Sequence, residues 1–248
     1  MEWETLIPTN IRNKYELHNF NNAAEIMSTA FPNEWSDLCF ALDHFYITNE
    51  EMKIGGGSES PIPKRIATLL RPREWNEIRV TGDLVVNLKN ATKNENSTFR
   101  YNDFLYGYFI DYVKNHVAFD MEWNSKDQTF DRDLTSFRAF FETGVINVAA
   151  IMTRSEELNP VFNNLGIKQK YGASTTWMGK LLPRVRARRQ DGCPLLVIGI
   201  TQRCIMPDDF SDEFFLNKDP QSPMVEESTE PTEVALNNLL TQETEDDE

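Results

Sequence analysis

Two strand-length apolar runs, at residues 145–153 and 194–202, constrain the fold of this chain more than any other feature of it. In both runs, apolar residues follow one another with little alternation, which is typical of strands covered on both faces. A sheet that contains such strands needs a layer of structure on each side. The segment 130–143 can supply part of one layer, since Leu134 and Phe137 recur there at helical spacing.

The remaining segments predict an α/β fold in which helices flank a mixed central β-sheet. Aromatic and β-branched residues dominate 104–112 and 116–123, which are separated by three residues, so we predict an antiparallel hairpin there. Gly and Ser residues at 55–60 indicate a break in the chain. The other predicted elements are helices around 22–29, 32–48 and 63–70, and a strand at 78–88 that a polar segment at 90–98 interrupts.

The formal net charge of −14 is concentrated at one end of the chain. Residues 207–248 hold 14 acidic side chains and one lysine, whereas the rest of the chain holds 25 acidic and 24 basic side chains. High charge together with low hydrophobicity is typical of disorder. We therefore predict one folded domain at residues 1–206 and an acidic, disordered C-terminal tail at 207–248.

The basic residues of the nearly neutral body include two clusters. Local positive charge of this kind attracts phosphate even where the net charge of a protein is negative. From charge alone, two solvated surfaces explain the clusters equally well. The first cluster is Lys64, Arg65, Arg71, Arg73 and Arg79, and the second is Lys180, Arg184, Arg186, Arg188 and Arg189.

The sequence does not indicate membrane insertion or secretion. No apolar run approaches the roughly 20 residues that a membrane helix needs, and residues 1–5 lack the basic and apolar regions of a signal peptide. Cys39, Cys193 and Cys204 form no Cys-x-x-Cys pair, so we expect neither a disulfide framework nor a zinc site. We expect a cytoplasmic protein without a membrane partner.

Three acidic residues of the predicted hairpin fall on one face of it. Asp120 and Glu122 lie two apart on the second strand, so their side chains point to the same side. If residues 114–115 form a two-residue turn, Asp111 pairs with Ala118 and lies diagonal to Asp120, at roughly 7–8 Å. The three carboxylates would then converge.

Converging carboxylates on an otherwise apolar sheet repel one another and lose hydration, which is costly unless a cation lies between them. Mg²⁺ is bound by one or two protein carboxylates, water and a substrate phosphate oxygen, so such a site suits phosphodiester chemistry. We assign Asp111 and Asp120 as metal ligands, and Glu122 as a further ligand or as the base for the attacking water. A solvated strand face with an Asp-x-Glu pattern is the alternative, since this pattern occurs in many proteins by chance.

The order of these acids resembles the active-site segment of the BglII/BstYI-like type II restriction endonucleases, a branch of the PD-(D/E)xK nucleases. Asp111 is followed nine residues later by Asp120 and, two further on, by Glu122. Glu122 departs from the pattern, which has Lys in the wider superfamily and Gln in the named members at this place. The resemblance extends over roughly residues 16–205 and includes the segments 124–138, 149–154, 174–177 and 192–200.

The resemblance implies a restriction-endonuclease-like fold and a homodimer that cuts each strand of double-stranded DNA once, using Mg²⁺. It also implies that residues just after the catalytic strand read bases, for which Asn and Lys side chains are chemically suited. A polar loop that caps the next helix is the alternative interpretation. By position, the DNA-contacting candidates are Asn124, Ser125, Lys126, Ser174, Thr175, Thr176, Arg184 and Arg186, and the segment 55–60 is a candidate for a loop that orders on DNA.

We therefore expect a Mg²⁺-dependent type II restriction endonuclease. A sequence-specific DNA-binding protein of the same fold without cleavage activity is the alternative, and it would leave supercoiled plasmid intact with every metal. A metal-dependent hydrolase of a smaller phosphate substrate is the third hypothesis. That protein would have a deep pocket and no positively charged cleft.

Overall fold

One mixed sheet of six strands supports the rest of the fold. The computed structural model describes residues 2–54 and 60–213, so the segment 55–59 and most of the predicted tail lie outside the described residues. The strands are β1 (Tyr15–Phe20), β2 (Ile47–Thr48), β3 (Asn76–Asn90), β4 (Glu95–Lys114), β5 (Val117–Glu122), β6 (Val148–Arg154), β7 (Leu195–Ile200) and β8 (Ile205–Met206). The main sheet has the order β1-β7-β6-β5-β4-β3, and β2 pairs with β8 separately.

The two apolar runs form the strands that were predicted for them. β6 and β7 are buried along their whole length, and parallel pairing joins β5 to β6 and β6 to β7. β1 and β4 pair antiparallel with the outer members of this parallel group. Helices cover these parallel strands on both faces, which explains the lack of alternation in their sequence. The prediction of an α/β fold with a mixed central sheet is confirmed.

The helices of the described residues follow the predicted order closely. The helices predicted around 22–29, 63–70 and 130–143 are present with shifted ends, whereas the one predicted at 32–48 ends early, at His44. Thr48 instead begins a short helix, because its hydroxyl accepts a hydrogen bond from a backbone amide of the next turn. The helices are α1 (Thr9–Lys14), α2 (Ala23–Ala30), α3 (Pro32–His44), α4 (Asn49–Lys53), α5 (Pro61–Leu70), α6 (Thr129–Glu142), α7 (Asn159–Asn164) and α8 (Met178–Arg186).

Two elements, β1 and α8, have weak signals in the sequence. β1 is an edge strand that pairs only with β7, and polar residues occupy much of it. α8 contains Pro183, which ordinarily interrupts a helix. Packing stabilises α8, since Leu181 and Val185 are buried against the sheet. None of the helices within residues 2–54 and 60–213 is long and apolar enough to cross a membrane.

β3 and β4 form a long hairpin that was not predicted. Only the turn at 91–94 interrupts the strands, since β4 begins at Glu95 and the rest of the polar segment at 90–98 is strand. Backbone hydrogen bonds join the two strands whatever their side chains are, which explains why polarity misled the prediction. Near its base this hairpin packs on the core through Ile78 and Tyr108, whereas Phe99 and Tyr101, further out, are 49% and 55% exposed.

The main core lies between one face of the sheet and helices α6 and α8. Phe137 and Phe140 of α6 are fully buried there against Ile151 and Val197 of the central strands. Side chains alternate along each strand, so neighbouring residues such as Met152 point to the opposite face, where α2 packs. This core places the start of α6 beside the end of β5, where the predicted acids lie.

Candidate active site

The turn between β4 and β5 determines which acidic residues meet. Asn115 and His116 are the two turn residues, with φ angles of 42° and 66°, and Val113 pairs with Ala118 across them. The predicted turn, one residue earlier with Asp111 opposite Ala118, is therefore wrong. A two-residue turn that matches the twist of the strands has positive φ at both positions, which Asn and His adopt more readily than Lys.

The corrected register keeps the three predicted acids on one face. Relative to the predicted pairing, β4 and β5 are shifted by two positions, and a shift by an even number keeps each side chain on the same face. Continuing the register by one residue places Asp111 directly opposite Asp120 instead of diagonal to it. Asp120 and Glu122 are only 3% and 6% exposed. The hairpin therefore gathers three carboxyl groups, two of them buried and that of Asp111 half-buried.

Helix α6 adds two charged residues that our sequence analysis did not single out. Asp133 is 2% exposed, and its Oδ1 accepts hydrogen bonds from Arg132 Nε at 3.0 Å and Nη2 at 2.9 Å. The same Nη2 lies 3.4 Å from Glu122 Oε1. Helical periodicity was an available signal for Asp133, since it lies three residues after Phe130 and four before Phe137 on the buried face.

Burial and mutual repulsion raise the pKa values of the clustered acids. Loss of hydration is the largest cause for the raised pKa of Asp120, and the charges of Asp111, Asp133 and Glu122 add to it. Loss of hydration also raises the pKa of Glu122 and of Asp133, while the charge of Arg132 opposes both rises. Four carboxyl groups therefore face a single guanidinium group.

The cluster suits a hard divalent cation. Its donors are carboxylate oxygens, and Asp133 Oδ2 is buried without a hydrogen-bond partner among the described residues. Within residues 2–54 and 60–213, no three His, Cys, Asp or Glu side chains are grouped as a complete metal site. Mg²⁺ does not need such a group, because one or two carboxylates, water and phosphate oxygens complete its coordination. Asp111 and Asp120 are placed to provide those carboxylates.

Asp111 is also supported through its backbone. Arg71 Nη1 donates hydrogen bonds to the carbonyl oxygens of Asp111, at 2.8 Å, and of Trp75, at 3.0 Å. The Arg71 guanidinium lies 4.5 Å from the centroid of the Tyr112 ring. Arg71 belongs to the first basic cluster of the sequence, so this member of the cluster has a structural role.

The two polar segments 124–127 and 174–176, which contain predicted DNA-contacting residues, are joined to each other. Six of the eight DNA-contacting candidates lie in these segments and so share one surface beside the acids. Lys126 and Ser174 are exposed, whereas Thr176 is buried. The contacts are an antiparallel bridge between Lys126 and Thr175 and backbone hydrogen bonds of 2.9 Å from Thr176 to Ser125 and from Asp127 to Ser174.

The two remaining candidates, Arg184 and Arg186, differ in their surroundings. The Arg184 side chain is 17% exposed and pairs with Asp127 at 3.4 Å and with Asp131 at 3.1 Å. Arg186 is exposed. Two carboxylates already compensate the charge of Arg184, so Arg186 is better placed to attract a phosphate.

Removing the Asp120 carboxyl group should flatten the pH dependence of stability. In metal-free protein, folded Asp120 keeps its proton above 3.8, the ordinary pKa at which the unfolded chain releases it. The free energy of unfolding therefore decreases as the pH rises from that value to the raised pKa, by roughly 1 kcal/mol per pH unit for each such proton. Urea denaturation in EDTA, from about pH 5 to about pH 8, measures this decrease. It should be smaller for Asp120→Asn, and equal slopes would contradict the raised pKa.

One family of known proteins matches this chain over most of its length. The profile of the family described as Restriction endonuclease BglII/BglIII matches residues 15–200, about three quarters of the chain. The matched range contains the six strands of the main sheet, the acidic cluster and both polar segments. No curated protein matches the chain.

Proposed function

This chain belongs to the BglII/BglIII family of restriction endonucleases, and we propose that it is a Mg²⁺-dependent type II enzyme that cuts double-stranded DNA at a specific sequence. The observation that carries the proposal is the position of the acids. Asp111, Asp120 and Glu122 share one face at the end of a buried hairpin, next to two joined polar segments. A scissile phosphate and the neighbouring base edges can therefore be contacted by adjacent parts of one surface.

The three acids have distinct roles in this proposal. Asp111 and Asp120 hold Mg²⁺, which when bound stabilises negative charge on the phosphate oxygens and lowers the pKa of water. Glu122 is a further ligand or the base that accepts a proton from the attacking water. Loss of hydration raises the pKa of Glu122, which makes its carboxylate a stronger base. Arg132, whose side chain is 49% exposed beside Glu122, can donate hydrogen bonds to a phosphate oxygen.

Exposed and half-buried polar side chains beside the acids are proposed to recognise DNA. Lys126 and Asn124 suit guanine and adenine edges, and the hydroxyls of Ser125 and Ser174 can donate or accept hydrogen bonds. The Thr175 hydroxyl donates to the Gly172 carbonyl oxygen, so toward DNA it can only accept. We assign Thr176, which is buried, to this surface as part of its backbone support. Arg184 and Arg186 contribute positive charge toward the phosphates, Arg186 the more because it is exposed.

A homodimer completes the proposal. A site that reads the same on both strands is matched by two copies of a reader related by two-fold symmetry, and each copy then cuts one strand. A DNA substrate inside the cell also accords with the cytoplasmic location expected from the sequence.

Digestion of supercoiled plasmid by the purified protein with Mg²⁺ tests the function. We expect discrete fragments, because a specific reader cuts at few places, and sequencing of their ends should show one short shared sequence. EDTA should prevent cutting, since the acids then lack their cation. An intact plasmid together with specific retention of a selected duplex would indicate a DNA-binding protein without cleavage activity. If the protein neither cuts the plasmid at discrete places nor binds a specific sequence, that result would contradict any action at specific DNA sites.

A further inference from the structure

Arg154 is a buried cation that the proposed reaction does not use. It is the last residue of β6, and it is 1% exposed. Across the described parts of the chain, no carboxylate pairs with it. Burial lowers the pKa of the guanidinium to about 10. A buried charge without a counter-ion is costly to a fold, so the contacts of Arg154 are the feature to explain.

Both hydrogen bonds of Arg154 go to the polar segment 174–176. Nε donates to the Thr176 carbonyl oxygen at 2.8 Å, and Nη2 donates to the Thr175 hydroxyl. Aromatic rings cover the rest of the guanidinium, with Cζ at 5.0 Å from the Tyr171 centroid and 5.6 Å from that of Phe162. The segment is therefore held by a planar group that is itself enclosed.

The chain beside Arg154 contacts the catalytic strand. Thr153 pairs in register with Glu122, and its hydroxyl donates to the Glu122 carbonyl oxygen at 2.8 Å. The segment that follows Glu122 then returns to the same place, because Lys126 bridges to Thr175. The contacts close a ring that runs from β5 through 124–127 and 174–176 to the end of β6. Arg154 is the side chain that joins the last two parts of this ring.

We propose that Arg154 is a positioning residue for base recognition. The inference rests on the proposed function, because it concerns how that function becomes selective. Arg154 does not touch DNA, since its side chain is buried. It holds Thr175 and Thr176, and through them Lys126, at one distance from the acids. Hydrogen bonds to base edges require such a geometry, and a displacement of about 1 Å weakens them.

Loss of Arg154 should therefore affect selectivity more than affinity. Most of the affinity of a protein for DNA comes from phosphate contacts of exposed Lys and Arg side chains, which do not depend on the sequence. Contacts to base edges supply discrimination, and one changed base pair typically weakens specific binding by about 5- to 150-fold. A loose segment 174–176 would lose these contacts and keep the phosphate contacts.

The test measures binding to a target duplex, selected from a randomised pool with the full-length wild-type protein, and to duplexes with one changed base pair. Ca²⁺ replaces Mg²⁺, so that binding is measured without cleavage. For Arg154→Met we expect the ratio of the two affinities to fall by about tenfold or more, while affinity for unrelated DNA and its salt dependence stay unchanged. Arg154→Lys should also lose discrimination, because an ammonium group lacks the planar fork that reaches both threonines.

A control separates this effect from lost stability. Leu38 is buried in α3, which packs on α1, α2 and α5, so Leu38→Ala lowers stability without changing the segment. It should keep the wild-type ratio. If Arg154→Met does not fold, Arg154→Lys decides. If the folded Arg154 variants discriminate between sequences within about twofold of wild type, the inference about Arg154 is overturned and the proposed function is not affected. If the wild-type protein itself prefers no sequence, the proposed function is overturned as well.

Discussion

Asp120→Asn abolishes DNA cleavage and leaves DNA binding intact: this is the largest effect that we expect on activity. The substitution keeps the size of a side chain that is 3% exposed but removes the charge that holds a cation beside Asp111. We expect the cleavage rate to fall by about 10³-fold or more, which corresponds to about 4 kcal/mol of transition-state stabilisation. Affinity for the target should not decrease, because the substitution removes a negative charge that would repel the bound phosphate. Single-turnover cleavage with Mg²⁺ and equilibrium binding with Ca²⁺ measure the two quantities.

The matched control is the same substitution at an exposed acid. Asp83 lies on the β3–β4 hairpin and pairs with Arg100 at the surface, so Asp83→Asn removes one carboxylate far along the chain from the cluster. Its cleavage rate should remain at the wild-type value. Cleavage by Asp120→Asn at a rate close to that of Asp83→Asn would show that Asp120 does not take part in the reaction.

Phe137→Ala should produce the largest loss of stability among the changes considered. Phe137 is fully buried in α6 between the sheet and α8, and its removal loses apolar burial and leaves a cavity. Substitutions of this kind cost about 3–5 kcal/mol, a large part of the stability of a domain this size. Chemical denaturation at equilibrium measures the change in the free energy of unfolding.

Phe141→Ala is the control on the same helix. Phe141 packs against the core but is only partly buried, so less apolar surface is lost and solvent can fill part of the space. We expect about half of the destabilisation found for Phe137→Ala. Equal losses at the two positions would contradict the placement of Phe137 at the centre of the core.

The predictions that held depend on local regularities. Helical spacing identified the helix that carries Phe137, and unbroken apolar character identified β6 and β7. Alternation along a strand placed Asp120 and Glu122 on one face, a conclusion that survived an error of register. The predictions that failed misjudged local signals. Polarity concealed the first part of β4, and the position of the turn depended on which residues accept positive φ.

The contacts that complete the candidate site join distant parts of the chain. Arg71 reaches Asp111, Arg132 reaches Glu122, and Arg154 reaches Thr176. Each of these arginines is unremarkable in its own segment. Charge counting placed Arg71 among candidates for phosphate, whereas the structure assigns it to the backbone of the hairpin. Such roles follow from tertiary contacts and have no periodicity that a sequence pattern could reveal.

The sequence by itself determined the central strands, the helix over them and the shared face of two acids, because a chain must bury its apolar residues and the periods of helix and strand dictate which residues are buried together. Tertiary structure alone decided that Asp133 meets the acids of the hairpin and that segments 124–127 and 174–176 are joined. These depend on the packing of helices against a sheet, which brings together residues that no local rule connects.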